Sequence, residues 1–477
     1  MMSVFSSVTS RAGPKEHSSQ EAHVQEEDEE VLDEEPRNIL LSLISQLRIG
    51  MDLHKVTLPT FVLEPRSMLE RITDFLSHPD LIFGASRHED PTERFIQALR
   101  YYLAGWHIKP KGVKKPYNPI LGEIFRCRYD YPDGSQGFYV AEQVSHHPPV
   151  SAFYYASPDN QIEIWGDLRP KSKFLGNSAA TIMEGTSKLL FGDRKEDGVY
   201  KITMPNMYAR GILFGKMILE LGDESKVQNE TNQIFCDVEF KTKGFFGGEY
   251  NAIGGKVRDK SGVVGEIFGK WNEVMELRRT KGKTELMFDA SKAQVTQKTV
   301  LPESEQDWNE SRRLWSRVTR AIKKKDLDLA TEAKTAIEDF QRDRAREREE
   351  KGERWEPVFF KLVDEEWKPK FELPDDCKEG TDLISKFIFD HHTSKPTSAT
   401  FDLIKEIDRR ESYGGNSSNS NSPTTATNVN SENNRNNSNH GTKKADQLRR
   451  KSSSLSSPGI DVVGIDKRDS STFQQIS

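Results

Sequence analysis

The 477-residue chain is poor in cysteine: Cys127, Cys236 and Cys377 are widely spaced and odd in number. That scarcity excludes a disulfide framework, and with no CxxC pair it fits free thiols in a reducing compartment. Long apolar runs are missing too. No stretch approaches the ~18 residues of a membrane-spanning helix, and the N-terminal MMSVFSSVTSRAGPKEH has no apolar signal core. The expectation is a soluble intracellular protein. Hydrophobic residues make up 34% of the chain and the mean hydropathy is -0.72, low for a chain folded throughout, so part of it is expected to stay outside any core. Excess positive charge is lacking as well. A formal net charge of -6 argues against nucleic acid, whose backbone calls for a strong basic field, so an anionic ligand has to be met by a local cluster.

What is present is unevenly distributed. Residues 1–37, with EEDEEVLDEEP, read as a solvated acidic tail. From Asn38, a candidate N-cap, Ile39, Leu40, Leu43, Ile44 and Leu47 fall at helical spacing, predicting a short amphipathic helix that ends near Gly50. LPTFVLEP reads as extended, and RSMLERITDFLSH and PTERFIQALRYYLAGWH read as helices. Beyond Pro119 the texture turns to short β-rich runs punctuated by DG, PD, GG and KSG turns, pointing to an antiparallel barrel or large meander. Charged helices follow over SEQDWNESRRLWSRVTRAIKKKD and DLATEAKTAIEDFQRDRAREREEKG, and RWEPVFFKLVDEEWKPKFELP reads as chain packing back onto the body. Residues 377–477 are expected to be mostly disordered, Asn/Ser-rich and then basic, including KKADQLRRKSSSLSS.

The sequence EQVSHHPPVSAFYY, residues 142–155, carries the sharpest chemical question. Ser145 beside His146 makes a poor nucleophile and base, because neighbours in an extended segment face opposite ways and no GxSxG elbow or acidic orienter accompanies them. Adjacent histidines do not chelate as HxH or HxxxH would, so no metal is expected. GILFGKM and GGEYNAIGGK lack the spacing of phosphate-cradling loops; their glycines read as turns and bulges. Anion capture remains. Lys109, Lys111, Lys114 and Lys115 crowd a Pro/Gly-rich loop with Asn118 close behind, and Lys334, Glu338 and Arg342 share one helix face. Each group alone is an ordinary solvated surface; converging, they would make a phosphate site.

Together these elements resemble the oxysterol-binding-protein-related family of lipid transfer proteins. EQVSHHPP at Glu142–Pro149, KKPYNPILGE, KSKFLGN, the KxxxExxxR row and WEPVFF occur in family order over roughly residues 38–376. The resemblance implies a mainly β fold with α elements (α+β): a large incomplete antiparallel β-barrel enclosing a lipid tunnel, with an N-terminal lid helix at about 38–57 and a C-terminal helical subdomain. By position it makes His146 and His147 ligands of the 4-phosphate of phosphatidylinositol 4-phosphate, assisted by Lys115 and Asn118. Lys334, Glu338 and Arg342 would form the other wall, with Glu338 orienting the two bases.

LPTFVLEPRSMLERI looks most like the phosphatidylserine-carrying branch, which implies that Leu58, Thr60, Lys115, Asn118 and Ser172 line a serine headgroup pocket. The function implied is exchange of phosphatidylserine and phosphatidylinositol 4-phosphate at contacts between endoplasmic reticulum and plasma membrane. It needs no cofactor, no catalytic residue and no metal, and involves peripheral membrane contact and a tethering protein. A sterol/phosphatidylinositol 4-phosphate exchanger, and a phosphoinositide sensor without net transport, are the alternatives; a lipid-modifying enzyme comes last. No pleckstrin-homology domain is expected before residue 38, and no FFAT-like motif is visible.

Overall fold

The computed structural model describes residues 30–409, apart from 32–33, 54–55, 57, 110–111, 215, 244–246, 375 and 392–397. Lys111, most of the acidic tail and everything beyond Arg409 lie outside the described residues.

Helix α1 runs Glu34–Ile44. It begins four residues before Asn38, so the predicted cap is displaced, and Pro36 falls in the first turn, where a missing amide hydrogen costs nothing. LPTFVLEP, predicted to be extended throughout, instead contains a 3-10 turn at Thr60–Val62 before a short strand, Leu63–Ser67. RSMLERITDFLSH becomes one α turn, Met68–Arg71, continued as a 3-10 segment, Ile72–Leu76. Helix α2, Pro91–Ala104, has Asp90 as N-cap, its carboxylate accepting from the Thr92 amide, and proline at its first position.

The β-rich stretch forms a 15-stranded sheet. Its chain-order members are β1 Ile124–Asp130, β2 Gln136–His146, β3 Pro149–Ser157, β4 Ile162–Phe174, β5 Ser178–Phe191, β6 Asn206–Arg210, β7 Lys216–Asn229 and β8 Ile234–Lys241. They continue as β9 Ala252–Asp259, β10 Gly262–Lys270, β11 Val274–Arg279, β12 Thr284–Asp289 and β13 Lys298–Thr299. Neighbours pair antiparallel in sequence order from β12 back to β1, and β13 adds outside β1. Tyr200–Ile202 inserts between β5 and β7, and Glu30–Val31 pairs with the start of β7. Among the described residues β12 and β13 do not pair with each other, so the sheet curls without closing. This is the expected incomplete antiparallel barrel.

Strand β2 shows why the middle of the sheet is apolar on both faces. Tyr139 and Ala141 point into the barrel core with Phe125, Phe153 and Tyr155. Phe138, Val140 and Val144 point outward, into a second core with Phe359, Phe360, Ile384 and Ile388. Period-2 alternation therefore feeds two separate cores, and the run reads as continuously hydrophobic.

The second charged helix of the sequence is α3, Leu327–Lys351. The first is broken into Ser311–Leu314 and Ser316–Lys323 at Trp315, whose indole Nε1 donates to the buried Glu123 carboxylate at 2.9 Å. The aromatic closing stretch forms a hairpin, Phe360–Val363 with Glu366–Pro369. One boundary needs correction. The body was expected to end at residue 376, but the chain continues as α4, Cys377–Phe389, and α5, Ser398–Asp408. Ile384, Ile388, Leu403 and Ile407 are all buried, enough apolar surface to hold both helices down.

Candidate functional site

A cavity of about 240 Å³ opens inside the curled sheet. α1 and the loop after it cover one side, with Leu40, Leu43, Ile44, Leu47 and Leu53 in the lining. Leu40, Ile44 and Leu53 pack on Phe174, Ile212 and Met217. The cover is pinned to the end of β4: the Gly50 amide donates to the Phe174 carbonyl at 2.7 Å, and the Phe174 amide donates to that of Met51 at 3.0 Å.

The polar rim is built from three places. The first is the turn between β2 and β3, where His147 and Pro148 are joined by a cis bond. There the Ser145 hydroxyl donates to the Pro148 carbonyl at 2.7 Å, and Gln143 Nε2 donates to the Ser145 carbonyl at 2.9 Å. His146 Nδ1 lies 3.1 Å from the Pro119 carbonyl oxygen. A carbonyl only accepts, so Nδ1 carries the hydrogen. The exposed His147 ring meets His146 edge-on, with centroids 4.7 Å apart.

The second place is the 118–123 loop, held from below by Glu123. Its fully buried carboxylate accepts from Ser67 Oγ at 2.5 Å, Ser311 Oγ at 2.7 Å, Trp315 Nε1 at 2.9 Å and the Ile120 amide at 3.1 Å. Burial pushes its pKa upward and these donors oppose that. Gly122 has φ +78°, and a Cβ there would run into the Trp355 ring, so the loop needs glycine at this point.

The third place is α3. Leu121's amide donates to Gln341 Oε1 at 2.9 Å, docking α3 on the loop. Lys334 Nζ is 2.6 Å from Glu338 Oε1. Lys115, on the short strand Lys115–Tyr117, lines the cavity. Burial, then the ammonium of Lys334, lower its pKa, while Asp52 pulls the other way. Lys115 and Lys334 thus stand as neighbouring cations at a half-buried wall, one of them paired with Glu338.

Four of the ten predicted site residues line the cavity; His146 and His147 stand at the turn between β2 and β3, and Lys334, Glu338 and Arg342 on α3, outside that lining. Leu58, Lys115, Asn118 and Ser172 line the cavity; Thr60 does not. The 3-10 turn buries Thr60 and directs its hydroxyl to the Leu327 carbonyl, 3.5 Å away at the start of α3. Glu338 holds Lys334 alone, whereas exposed Arg342 pairs with Asp339. The sequence reading also passed over Gln143 and Ser151, which line the cavity as cross-strand partners, Ser151 Oγ donating to Gln143 Oε1 at 2.6 Å. Their signal was parity: Gln143 shares the inward face with Tyr139 and Ala141.

Glu142, one residue back, faces outward. It accepts from the Val358 and Phe359 amides at 2.8 and 2.9 Å, tying the closing stretch to β2. Burial pushes its pKa up to about 7, against those two donors.

Comparison with known proteins gives one consistent result. The family model described as oxysterol-binding protein matches residues 42–378. An oxysterol-binding protein homolog of Schizosaccharomyces pombe is 47% identical over 365 residues, covering 73% of this chain and 76% of its own. Oxysterol-binding protein homolog 7 of Saccharomyces cerevisiae is 46% identical over 354 residues, covering 72% and 80%. The crystal structure of the Osh1 ORD domain in complex with cholesterol superposes with a TM-score of 0.61 at 23% identity, over 79% of this chain and 98% of that one, a likeness of fold.

Proposed function

The chain belongs to the oxysterol-binding protein family, and on that premise we propose that it is a lipid exchanger carrying phosphatidylserine and phosphatidylinositol 4-phosphate, one molecule at a time, between membranes. The observation that carries the reading is the convergence of Leu58, Lys115, Asn118 and Ser172 on the wall of one covered, largely apolar cavity.

At ~0.8 kcal/mol per methylene, two acyl chains face a barrier of tens of kcal/mol to crossing water uncovered. An apolar cavity under a cover removes that barrier. Passing from bilayer core to cavity is nearly neutral for the chains, so selection falls to the headgroup. His146 and His147 bind the 4-phosphate, with Lys115 and Asn118 beside them and Lys334, Glu338 and Arg342 forming the opposite wall. Phosphatidylserine uses Leu58, Lys115, Asn118 and Ser172. Because both lipids need Lys115, Asn118 and the same cavity, they exclude each other, and a gradient in one drives the other. The two membranes of the proposal are endoplasmic reticulum and plasma membrane, met peripherally at contacts where a tethering protein holds the exchanger.

Transfer between vesicles, followed with separate reporters for the two lipids, tests the assignment. His146→Ala with His147→Ala is expected to cut phosphatidylinositol 4-phosphate transfer at least tenfold and spare phosphatidylserine; Lys115→Met is expected to weaken both. Equal loss of both lipids in the double histidine variant, with the fold intact, overturns the residue roles. Transfer of sterol in place of phosphatidylserine overturns the lipid pair.

A further inference from the structure

Behind the cavity lies a smaller void of about 20 Å³. Tyr101, Tyr102, Tyr139, Phe153 and Tyr155 are among its walls, and Ile72 and Phe75 close the side toward the cavity, whose wall they also form. Two side chains part the two spaces. Phe75 is fixed from behind: its ring meets Trp106 edge-on with centroids 4.9 Å apart. A Cβ at Gly105 would come within 2.9 Å of its Cδ1 and 3.1 Å of its Cα. Glycine at 105 is what allows the Ile72–Leu76 segment to sit so close.

The void is large enough for a water, which needs roughly 10–15 Å³ of this kind of space and two to four polar partners. Partners are scarce. The hydroxyls of Tyr102, Tyr139 and Tyr155 are committed to Ser225, the Leu69 carbonyl and Tyr131 at 2.7, 3.0 and 2.6 Å. Aromatic and aliphatic side chains make up most of the wall, with the Tyr101 and Ser187 hydroxyls its remaining polar groups, and such a wall suits hydrocarbon.

We propose that Ile72 and Phe75 are the floor that limits acyl-chain length, and that the void behind them is space a longer chain enters once the floor is opened. The proposal rests on the lipid-exchange reading above. In a bilayer every methylene is already surrounded by hydrocarbon, so a chain too long for the cavity gains nothing by entering. It must leave methylenes in water or displace the floor. Each methylene left in water weighs against extraction about fourfold. Headgroup contacts are the same for every chain length, so discrimination by length falls on Ile72 and Phe75.

The test uses the full chain, as wild type, Phe75→Ala and Phe75→Trp. Each protein is mixed with vesicles holding equal amounts of phosphatidylserines of stepwise increasing chain length, re-isolated, and its bound species quantified by native mass spectrometry. Wild type is expected to show a cut-off in length. Phe75→Ala moves it outward by one or two methylenes, enriching the first excluded species about fourfold or more. Phe75→Trp moves it inward. If Phe75→Ala fails to fold, Phe75→Leu is expected to give a smaller outward shift. An unchanged length profile in folded variants that carry as much lipid as wild type overturns the floor alone. Wild type that retains no two-chain lipid overturns the exchange reading and the floor with it.

Discussion

Glu142 shows how one side chain of the histidine motif acts away from the cavity. Its carboxyl is buried against two backbone donors of the closing stretch, and its pKa is pushed up to about 7. A carboxyl whose folded pKa lies above its unfolded value holds its proton more tightly in the folded state. The stability it contributes is present below the unfolded pKa and lost as pH rises toward 7. The shift corresponds to roughly 3 kcal/mol across that window. Glu142→Gln removes the titration but sets an NH₂ against one of the two amides. Urea denaturation is therefore expected to show wild type ahead of Glu142→Gln at pH 5, with the lead shrinking by pH 8; a constant difference would contradict the assignment.

Among the elements, α1 with its following loop is the one that covers the cavity. Leu40 and Ile44 sit on Phe174, Ile212 and Met217, so an aspartate at both positions removes about 1.5–3 kcal/mol of burial each. That is over a hundredfold in the balance between covered and uncovered states. A fluorescent lipid in the Leu40→Asp, Ile44→Asp variant is expected to be bleached by dithionite at close to the rate of exposed lipid, against slow bleaching in wild type. Equal rates would mean that α1 does not shield the cavity.

Elements of this kind were legible to the extent that their partners lie close in the chain or leave a periodic mark. The helical spacing of Ile39–Leu47 announced α1, and the turn-punctuated runs announced the antiparallel sheet. The 3-10 turn at Thr60 and the break at Trp315 were not visible, because each is set by a distant partner: the start of α3 for one, buried Glu123 for the other. For the same reason Thr60 was placed in the pocket; Arg342 was placed on Glu338 because the equally near Asp339, which takes it instead, was passed over.

At the scale of the whole molecule, the C-terminal helices belong to the body. Ile384 and Ile388 complete the outer core over β2, and Leu403 and Ile407 pack with Leu314, Trp315 and Ile337. The guanidinium of Arg126, buried beneath them, donates to the Ile388 and His391 carbonyls at 2.8 and 2.9 Å and pairs with Glu310 at 2.7 Å. At roughly 1.5–3 kcal/mol per fully buried aliphatic side chain, removal of α4 and α5 costs a large share of the 5–15 kcal/mol that ordinarily holds a domain together. Ending the chain after residue 376 is expected to lower the melting temperature sharply or leave insoluble protein, while ending it after residue 409 leaves melting close to wild type. Composition hid this boundary: charged, glycine-bearing KEGTDLISKF carries its few apolar residues at helical spacing only from Leu383 onward.

Pro119 and Leu121 sit two positions apart on a single loop, one steadying an imidazole and the other receiving α3. On the proposed reading, the two jaws that would grip a headgroup share one hinge pin. A guest that tightens one jaw has already set the other, so losses from His146→Ala and Lys334→Ala combined will fall short of their sum. On that reading, grip belongs to the pair more than to either jaw.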